Sequence, residues 1–199
     1  MDNEKFTQYY LGIRISQNDN AIPTFDRMFK ELEFNNTPIK RIIELGTFHG
    51  GLSVFLGIYC FMKNIPFITY DIKPFVHELS KVNNLFKSLN IDYRIKNIND
   101  SFEEIKNEIE KDGVTLLLCD GGDKVNEFNT FSNYLKTNDI IMAHDYAVDT
   151  FIFENEIKNK LWNWHEIQFS QIQDACEKNN LKDYMKDDFE KAVWVCKRK

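Results

Sequence analysis

Several features that would place this chain in a particular class are absent or scarce. Its 199 residues include four cysteines, and none of them forms a CxxC pair or another zinc-type spacing. We therefore expect reduced, buried thiols. No apolar run reaches the ~20 residues that a membrane span requires, and the first ten residues, MDNEKFTQYY, lack the apolar centre of a signal peptide. These absences predict a soluble, cytoplasmic protein without a membrane partner.

A surplus of basic residues is also missing. Lys and Arg together number 25 against 31 Asp and Glu, which gives a net charge of −6. This balance argues against a broad phosphate-binding face, and so against nucleic acid as a partner. The composition is nevertheless 43% hydrophobic and 14% aromatic, which is enough for a full core. We expect a single domain, with an N-terminal helical or lid segment at 1–38 and a core at 39–199.

Strand-like apolar runs alternate with helical periodicities along the chain. The predicted strands are 39–45, 67–71, 92–96, 114–119, 139–143, 165–169 and 192–197, and the predicted helices are 22–32, 51–62, 76–89, 101–111, 125–135 and 150–162. This alternation indicates an α/β fold with a parallel sheet and right-handed crossovers. Ser101 with Glu104 predicts a capping box. Residues 1–20 are expected to be irregular or weakly helical, and 9–20 and 171–191 are candidate lids.

Polar and glycine-rich segments follow five of these strands where each strand ends. They are residues 46–51, 71, 97–100, 120–124 and 144–146. The carboxyl ends of parallel strands share one edge of a sheet, and ligands bind at that edge in such folds. We therefore expect a ligand site there.

The stretch RIIELGTFHGGLSVFL, residues 41–56, predicts a buried strand, a glycine-rich turn and the start of an apolar helix. Glycines let the backbone approach a ligand closely, and the free N–H groups at a helix start face an anion. Asp71 ends the second strand 25 positions after Gly46, where a carboxylate can accept both hydroxyls of a ribose. The turn and Asp71 together indicate an adenosine-containing cofactor.

The turn differs from the dinucleotide fingerprint GxGxxG, because Phe48 replaces its second glycine. The ELGTxxGG sequence instead resembles motif I of class I S-adenosylmethionine (SAM) methyltransferases, and the resemblance extends over about residues 42–197. It implies a Rossmann-like fold with a seven-stranded, mostly parallel sheet, an antiparallel last strand and helices on both faces. An NAD-type oxidoreductase stays an alternative, provided that its turn tolerates Phe48.

The resemblance also implies positions for the parts of SAM. The residues expected to hold the methionine part are Glu44, Gly46, Thr47, Phe48, Gly50 and Gly51. Asp71 would bind the ribose, and Asn99 or Asp100 would lie near the adenine.

Asp120 ends the fourth predicted strand, and His144 and Asp145 follow the fifth. Adjacent strand ends would let these side chains converge, as in the similar metal site of catechol-type, sugar and macrolide O-methyltransferases. The resemblance implies Mg²⁺ or Mn²⁺, which would grip substrate oxygens and lower the pKa of a hydroxyl. His144 departs from the usual oxygen ligand, which favours a softer ion such as Mn²⁺ or a role as general base. Asp120 would also border the cofactor.

Lys124 lies four residues after Asp120 in the sequence DGGDK, close to the position of a catalytic lysine in catechol-type enzymes. It could deprotonate a hydroxyl if burial or a nearby cation lowered its pKa. The alternative is a solvated lysine, or one paired with Asp123 or Glu127.

These observations predict a SAM-dependent O-methyltransferase that acts on a small-molecule hydroxyl with the help of a divalent metal. The likeness of the DGGDK and HDY segments to sugar O-methyltransferases suggests a sugar or glycan precursor as the acceptor. A metal-independent methyltransferase, a non-catalytic methyltransferase-like binding subunit, and assembly into a homodimer stay open.

Overall fold

The centre of the molecule is a seven-stranded sheet, seen in a computed structural model that describes residues 8–199 without the side chains of residues 77 and 78. We number its strands in chain order. They are β1 (Ile39–Leu45), β2 (Phe67–Asp71), β3 (Asp92–Ile95), β4 (Val114–Cys119), β5 (Ile140–His144), β6 (Lys182–Asp183) and β7 (Trp194–Arg198).

The strands lie in the order β6-β7-β5-β4-β1-β2-β3. β1 pairs in parallel with β2 and β4, β2 with β3, and β4 with β5. Within this sheet only β7 is reversed, because it pairs antiparallel with both β5 and β6. The predicted mostly parallel sheet with an antiparallel last strand is confirmed. The order of connection reverses between β1 and β4, the point beside which open α/β sheets bind ligands.

Helices pack on both faces of the sheet. They are α1 (Ala21–Phe34), α2 (Gly51–Lys63), α3 (Phe75–Glu78), α4 (Ser80–Ser88), α5 (Phe102–Glu110), α6 (Lys124–Phe131), α7 (Thr150–Ile152), α8 (Phe169–Lys178) and α9 (Lys186–Lys191). Short 3₁₀ turns at Asn99–Ser101 and Ser132–Tyr134 and a π turn at Phe153–Ile157 supplement them.

Alternate residues of the central strands point to opposite faces. Ile42 and Leu116 belong to one buried cluster with residues of α1, α2, α4 and α9, whereas Ile43 and Leu117 belong to another with residues of α5, α6 and α8. Because helices cover both faces, a strand such as VTLLLC at 114–119 is an unbroken apolar run rather than an alternating one.

All four cysteines are free and buried, as expected. Cysteine thiols in these surroundings behave as small apolar groups. Among residues 8–199, no helix combines the length and the apolar character that crossing a lipid bilayer demands.

Two predicted elements near the C-terminus are wrong. Residues 165–169 contribute only Ile167–Gln168, which pairs with Tyr146–Ala147 outside the main sheet. The remaining strand of the sheet is β6, which consists of two exposed residues and therefore carries no apolar pattern. The helix expected at 150–162 ends at Ile157, because Trp162 turns into the core and is 1% exposed.

The polar segment 171–191 is not a lid over the sheet edge. It forms most of α8, β6 and α9, and its residues Ile172 and Phe189 are buried in the two core clusters.

The predicted capping box at α5 does not form. The hydroxyl of Ser101 is buried without a hydrogen bond to any described residue, and Glu104 accepts hydrogen bonds from Tyr70, Arg94 and Lys96. The bonds from Lys96, Tyr70 and Arg94 lower the pKa of Glu104 to about 2. These tertiary partners draw the carboxylate away from the helix start.

The N-terminal segment forms a hairpin rather than an irregular or helical stretch. Tyr9–Tyr10 pairs antiparallel with Ile13–Arg14, whereas residues 1–7 of the expected segment lie outside the described part. A Cβ built on Gly51, at the start of α2, would lie 2.3 Å from the carbonyl oxygen of Arg14. This close contact places residues 14–17 at the ligand-binding edge of the sheet.

Gly46→Ala is expected to lower the free energy of unfolding by roughly 2–4 kcal/mol. Gly46 has φ +98°, and a Cβ there would lie 2.1 Å from the carbonyl oxygen of Asp120. Urea denaturation measures the loss. Gly122→Ala is the matched control, because a Cβ at Gly122 meets nothing within 4 Å, and it should change the free energy by less than about 0.5 kcal/mol. Equal losses in the two variants would contradict the contact between β1 and β4.

Candidate functional site

A cavity of about 650 Å³ opens at the carboxyl ends of the parallel strands, a volume typical of small-molecule sites. Twelve of the thirteen site residues predicted from the sequence line it. They are Glu44, Gly46, Thr47, Phe48, Gly50, Gly51, Asp71, Asn99, Asp120, Lys124, His144 and Asp145. The fold therefore gathers side chains that are far apart in the sequence.

Asp100 is the predicted site residue that does not line the cavity. It is exposed in the 3₁₀ turn Asn99–Ser101, and successive side chains of such a turn point in different directions. Of the two residues that the sequence proposed for the adenine, only Asn99 borders the cavity.

The glycines of the turn are required by protein packing. The space that a Cβ would take is filled by the backbone of Asp120 at Gly46 and by the backbone of Arg14 at Gly51. The N–H of Gly46 also donates to the carbonyl of Tyr70 at 2.9 Å. These contacts fix the turn against β2, β4 and the N-terminal hairpin. From the sequence, the glycines were expected to let the backbone approach a ligand.

Asp71 is held by the backbone on both carboxylate oxygens. Its Oδ2 accepts from the N–H of Phe48 at 2.7 Å, and its Oδ1 accepts from the N–H of Lys73 at 2.9 Å. Each oxygen keeps capacity for another donor. Asp71 therefore braces the turn and still presents acceptors to the cavity.

Glu44 is buried beneath the turn. Ser53 donates to it at 2.5 Å and Thr69 at 2.6 Å, and the hydroxyls of Thr69 and Thr47 lie 2.6 Å apart. Burial raises the pKa of Glu44 to about 8, although the bonds from Ser53 and Thr69 oppose the shift. Glu44 is therefore mostly protonated at neutral pH.

Asp120, His144 and Asp145 converge at the adjoining ends of β4 and β5. The Nδ1 atom of His144 lies 3.2 Å from Oδ1 of Asp120 and 3.5 Å from Oδ1 of Asp145. One potential ligand atom from each residue lies within 4.8 Å of the others. Asp145 also adopts φ +57°, a backbone strain that recurs at functional sites.

The ring of His144 is enclosed by two tryptophans, with its centroid 5.4 Å from that of Trp162 and 4.8 Å from that of Trp194. Burial lowers the pKa of His144, but the carboxylates of Asp145 and Asp120 outweigh burial and raise the pKa above its usual value. Its Nε2 atom is buried without a hydrogen-bond partner among the described residues. This nitrogen therefore has an unused capacity for one hydrogen bond.

Lys124 is a buried cation surrounded by carboxylates. Its Nζ lies 2.5 Å from Glu166, 3.1 Å from Asp145 and 3.7 Å from Asp120. Burial alone would lower the pKa of Lys124, but these three carboxylates raise it well above its usual value. A raised pKa is the opposite of the shift that a catalytic base requires, so the role of Lys124 as a base stays a prediction that these carboxylates do not favour. Its carboxylate partners differ from Asp123 and Glu127, which the sequence suggested.

Gln17 is a residue of the site that sequence reasoning missed. The indole N–H of Trp194 donates to its Oε1 at 2.7 Å. Because an indole nitrogen only donates, this bond turns the Gln17 amide nitrogen towards Asp120 at 3.4 Å and His144 at 3.5 Å. No motif in residues 9–20 signals this role.

Three residues that line the cavity itself were also missed by the sequence: Trp162, Trp164 and Glu166. Trp162 donates its indole N–H to Oδ1 of Asp145 at 2.7 Å, and the ring of Trp164 lies 4.7 Å from that of Trp162. In the sequence, only the cluster of aromatic and charged residues in WNWHE at 162–166 could have indicated that these residues line the site.

The donor set of Asp120, His144 and Asp145 fits a divalent cation that accepts mixed nitrogen and oxygen ligands. The separations of 3.2 and 3.5 Å are close to the ~3 Å between neighbouring ligands of an octahedral ion with ~2.1 Å bonds. Such an ion would share Asp145 with the ammonium group of Lys124, 3.1 Å away.

Solved structures share this fold. One, described as "cmcI-N160 SAH", has a TM-score of 0.57 and 12% identity over 96% of this chain and 81% of that one. A "putative caffeoyl-CoA O-methyltransferase" from Staphylococcus aureus has a TM-score of 0.54 and 13% identity over 89% and 83%. The precorrin-6y C5,15-methyltransferase from Geobacter metallireducens GS-15 has a TM-score of 0.53 and 10% identity over 92% and 80%.

Identities this low show a shared fold, and the chain has the Rossmann-like fold of class I methyltransferases. No family model matches the sequence, and a comparison with curated proteins finds no significant relative.

Glu44 should make the protein less stable as pH rises. The folded state keeps its proton up to about pH 8, whereas the unfolded chain releases it near the ordinary value of 4.5. Between these values the unfolded state binds fewer protons, so the free energy of unfolding falls with pH. Glu44→Gln should remove this fall. In urea denaturation, its free energy of unfolding should exceed that of the wild type by an amount that grows from about pH 5 and reaches roughly 2–4 kcal/mol near pH 8. Parallel pH profiles would contradict the burial of an ionisable group here.

Proposed function

We propose that this protein is a SAM-dependent O-methyltransferase that transfers a methyl group to a hydroxyl of a small molecule. The observation that carries the proposal is the convergence of two features in one cavity. One is the glycine-rich turn at 46–51 with Asp71, and the other is the cluster of Asp120, His144 and Asp145. The likeness of the fold to solved methyltransferases supports it.

The residues present fit SAM. The acceptors of Asp71 suit ribose hydroxyls, and the start of α2 has no side-chain cap, which leaves N–H groups for a ligand. SAM supplies an electrophilic methyl group on a positively charged sulfur. The carboxylates of Asp71 and Asp120, which border the cavity, favour such a cation.

Transfer to a hydroxyl requires the hydroxyl proton to leave, and His144 is suited to hold it. Its usual pKa lies near neutrality, the flanking carboxylates of Asp120 and Asp145 raise that pKa, and its Nε2 has no partner among the described residues. Lys124, fixed as a cation, positions Asp145 and Glu166.

Metal assistance is part of the proposal. A divalent cation held by Asp120, His144 and Asp145 would lower the pKa of the acceptor hydroxyl and orient it. A metal-independent reaction with His144 as base uses the same residues, and a non-catalytic binding subunit would keep the cavity without turnover.

For the acceptor we propose a sugar or glycan precursor. The likeness of the segments at 120–124 and 144–146 to sugar O-methyltransferases supports this class by analogy. The partly exposed ring of Trp164 beside Glu166 offers an apolar face and an acceptor at the cavity wall. Methyl-transfer assays with sugar nucleotides and with small phenols would distinguish a sugar acceptor from a phenolic one.

SAM is expected to stabilise the protein, and NAD is not. At ~100 times its Kd, SAM should add about 2.7 kcal/mol to the free energy of unfolding, read as a rise in Tm. Asp71→Asn should weaken SAM binding about tenfold or more, because it removes a charged acceptor. Asp100→Asn is the control, since Asp100 is exposed outside the cavity. Stabilisation by NAD and not by SAM would contradict the proposal that SAM is the cofactor.

Removal of the metal ligands should abolish metal-dependent methyl transfer. Asp120→Asn and Asp145→Asn are each expected to lower the rate by roughly a hundredfold or more, and to remove the rise in Tm that Mn²⁺ causes after treatment with EDTA. Asp149→Asn keeps the cap of α7 and should behave as wild type. If the wild type keeps its full rate of methyl transfer in EDTA, the reaction does not depend on a metal, and the alternative with His144 as the base stands.

A further inference from the structure

We propose that Arg14 is the counter-ion for the carboxylate in the methionine part of SAM, so that the N-terminal hairpin completes the cofactor site. This inference rests on the proposed function. It is drawn from an unpaired cation, from polar atoms without partners beside it, and from the distribution of charge in the cavity.

Arg14 ends the second strand of the hairpin and lines the cavity. Among residues 8–199, no carboxylate lies within ion-pairing distance of it, and its buried Nε has no hydrogen-bond partner. Its guanidinium lies 5.9 Å from the ring centroid of Phe48, a contact that favours the cation but supplies no acceptor for the Nε–H group. A cation held in this way lacks an anion.

Two neighbours of Arg14 also have polar atoms without partners. The hydroxyl of Ser16 and Nδ1 of His49 are buried and unpaired among the described residues, and both residues line the cavity. The ring of His49 lies 3.9 Å from that of Phe48, the same ring that Arg14 covers. Native proteins leave few buried polar atoms unpaired, so this group points to a polar ligand.

The backbone places Arg14 beside the start of α2. The carbonyl oxygen of Arg14 would lie 2.3 Å from a Cβ on Gly51, the first residue of that helix. The 13-residue helix has no side-chain cap at its start, so its first N–H groups and its dipole add to the positive charge there. Burial and then Arg14 lower the pKa of His49, which leaves Arg14 as the charged donor.

The other cations of the cavity are accounted for. Lys124 is within 3.7 Å of three carboxylates. Lys73 is exposed and follows Asp71, to which its own N–H donates, so it belongs to the ribose end. Arg14 is the remaining Lys or Arg among the described cavity residues. The carboxylate is the one anionic group of SAM, and Asp71 and Asp120 repel it from the rest of the cavity.

Isothermal titration calorimetry of the full chain tests the assignment with two ligands. S-adenosylhomocysteine carries the carboxylate, and 5′-methylthioadenosine lacks the amino-acid part. Arg14→Met should raise the Kd of S-adenosylhomocysteine roughly 10–100-fold and change that of methylthioadenosine by less than about twofold. Arg14→Lys should recover part of the loss. Arg27→Met, an exposed arginine of α1 outside the cavity, should leave both constants unchanged.

Each other outcome overturns the assignment. Equal weakening of both ligands would mean that Arg14 acts through the turn and not on the carboxylate. An unchanged Kd for S-adenosylhomocysteine with a raised KM for the acceptor would place the anion on the acceptor. If the wild type binds neither ligand, the proposed function itself fails and the inference falls with it, which is a different result from the selective patterns above.

Discussion

The contact between the carboxyl ends of β1 and β4 is the constraint on which the site depends. The backbone of Gly46 approaches the carbonyl of Asp120 so closely that no Cβ fits between them, and the N–H of Asp120 donates to Leu45 at 2.8 Å. This contact sets the glycine-rich turn beside the acidic cluster. Without it the glycine-rich turn and the acidic cluster would lie at two separate strand ends and would not share one cavity.

Charge in the cavity is distributed by burial as much as by residue type. Glu44 keeps its proton because it is buried, whereas Asp145 is held ionised because His144 and Lys124 outweigh its burial, and its pKa is lowered. Lys124 is kept charged by the carboxylates around it. The two carboxyl groups of Glu44 and Asp145 therefore have pKa values shifted in opposite directions within one cavity.

Two segments outside the alternating strands and helices contribute residues that contact the acidic cluster. Gln17, which follows the N-terminal hairpin, places its amide nitrogen near Asp120 and His144, and Trp162 from the segment after α7 donates a hydrogen bond to Asp145. Sequence patterns predicted the bounds of the strands 39–45, 67–71 and 114–119 correctly, because buried parallel strands are continuous apolar runs. The same patterns could not predict that Gln17 and Trp162 contact the site, because neither residue belongs to a periodic element or a motif.

The sequence by itself determined the alternation of strands and helices, and with it the sheet edge at which the glycine turn, Asp71, Asp120 and His144 meet. Local periodicity and turn chemistry carry that information, since each depends on residues close in the chain. The tertiary structure alone decided which groups are charged and which segments close the cavity. Burial, ion pairs such as Lys124 with Glu166, and the hairpin packed on α2 depend on residues distant in sequence, and no local pattern records their separation in space.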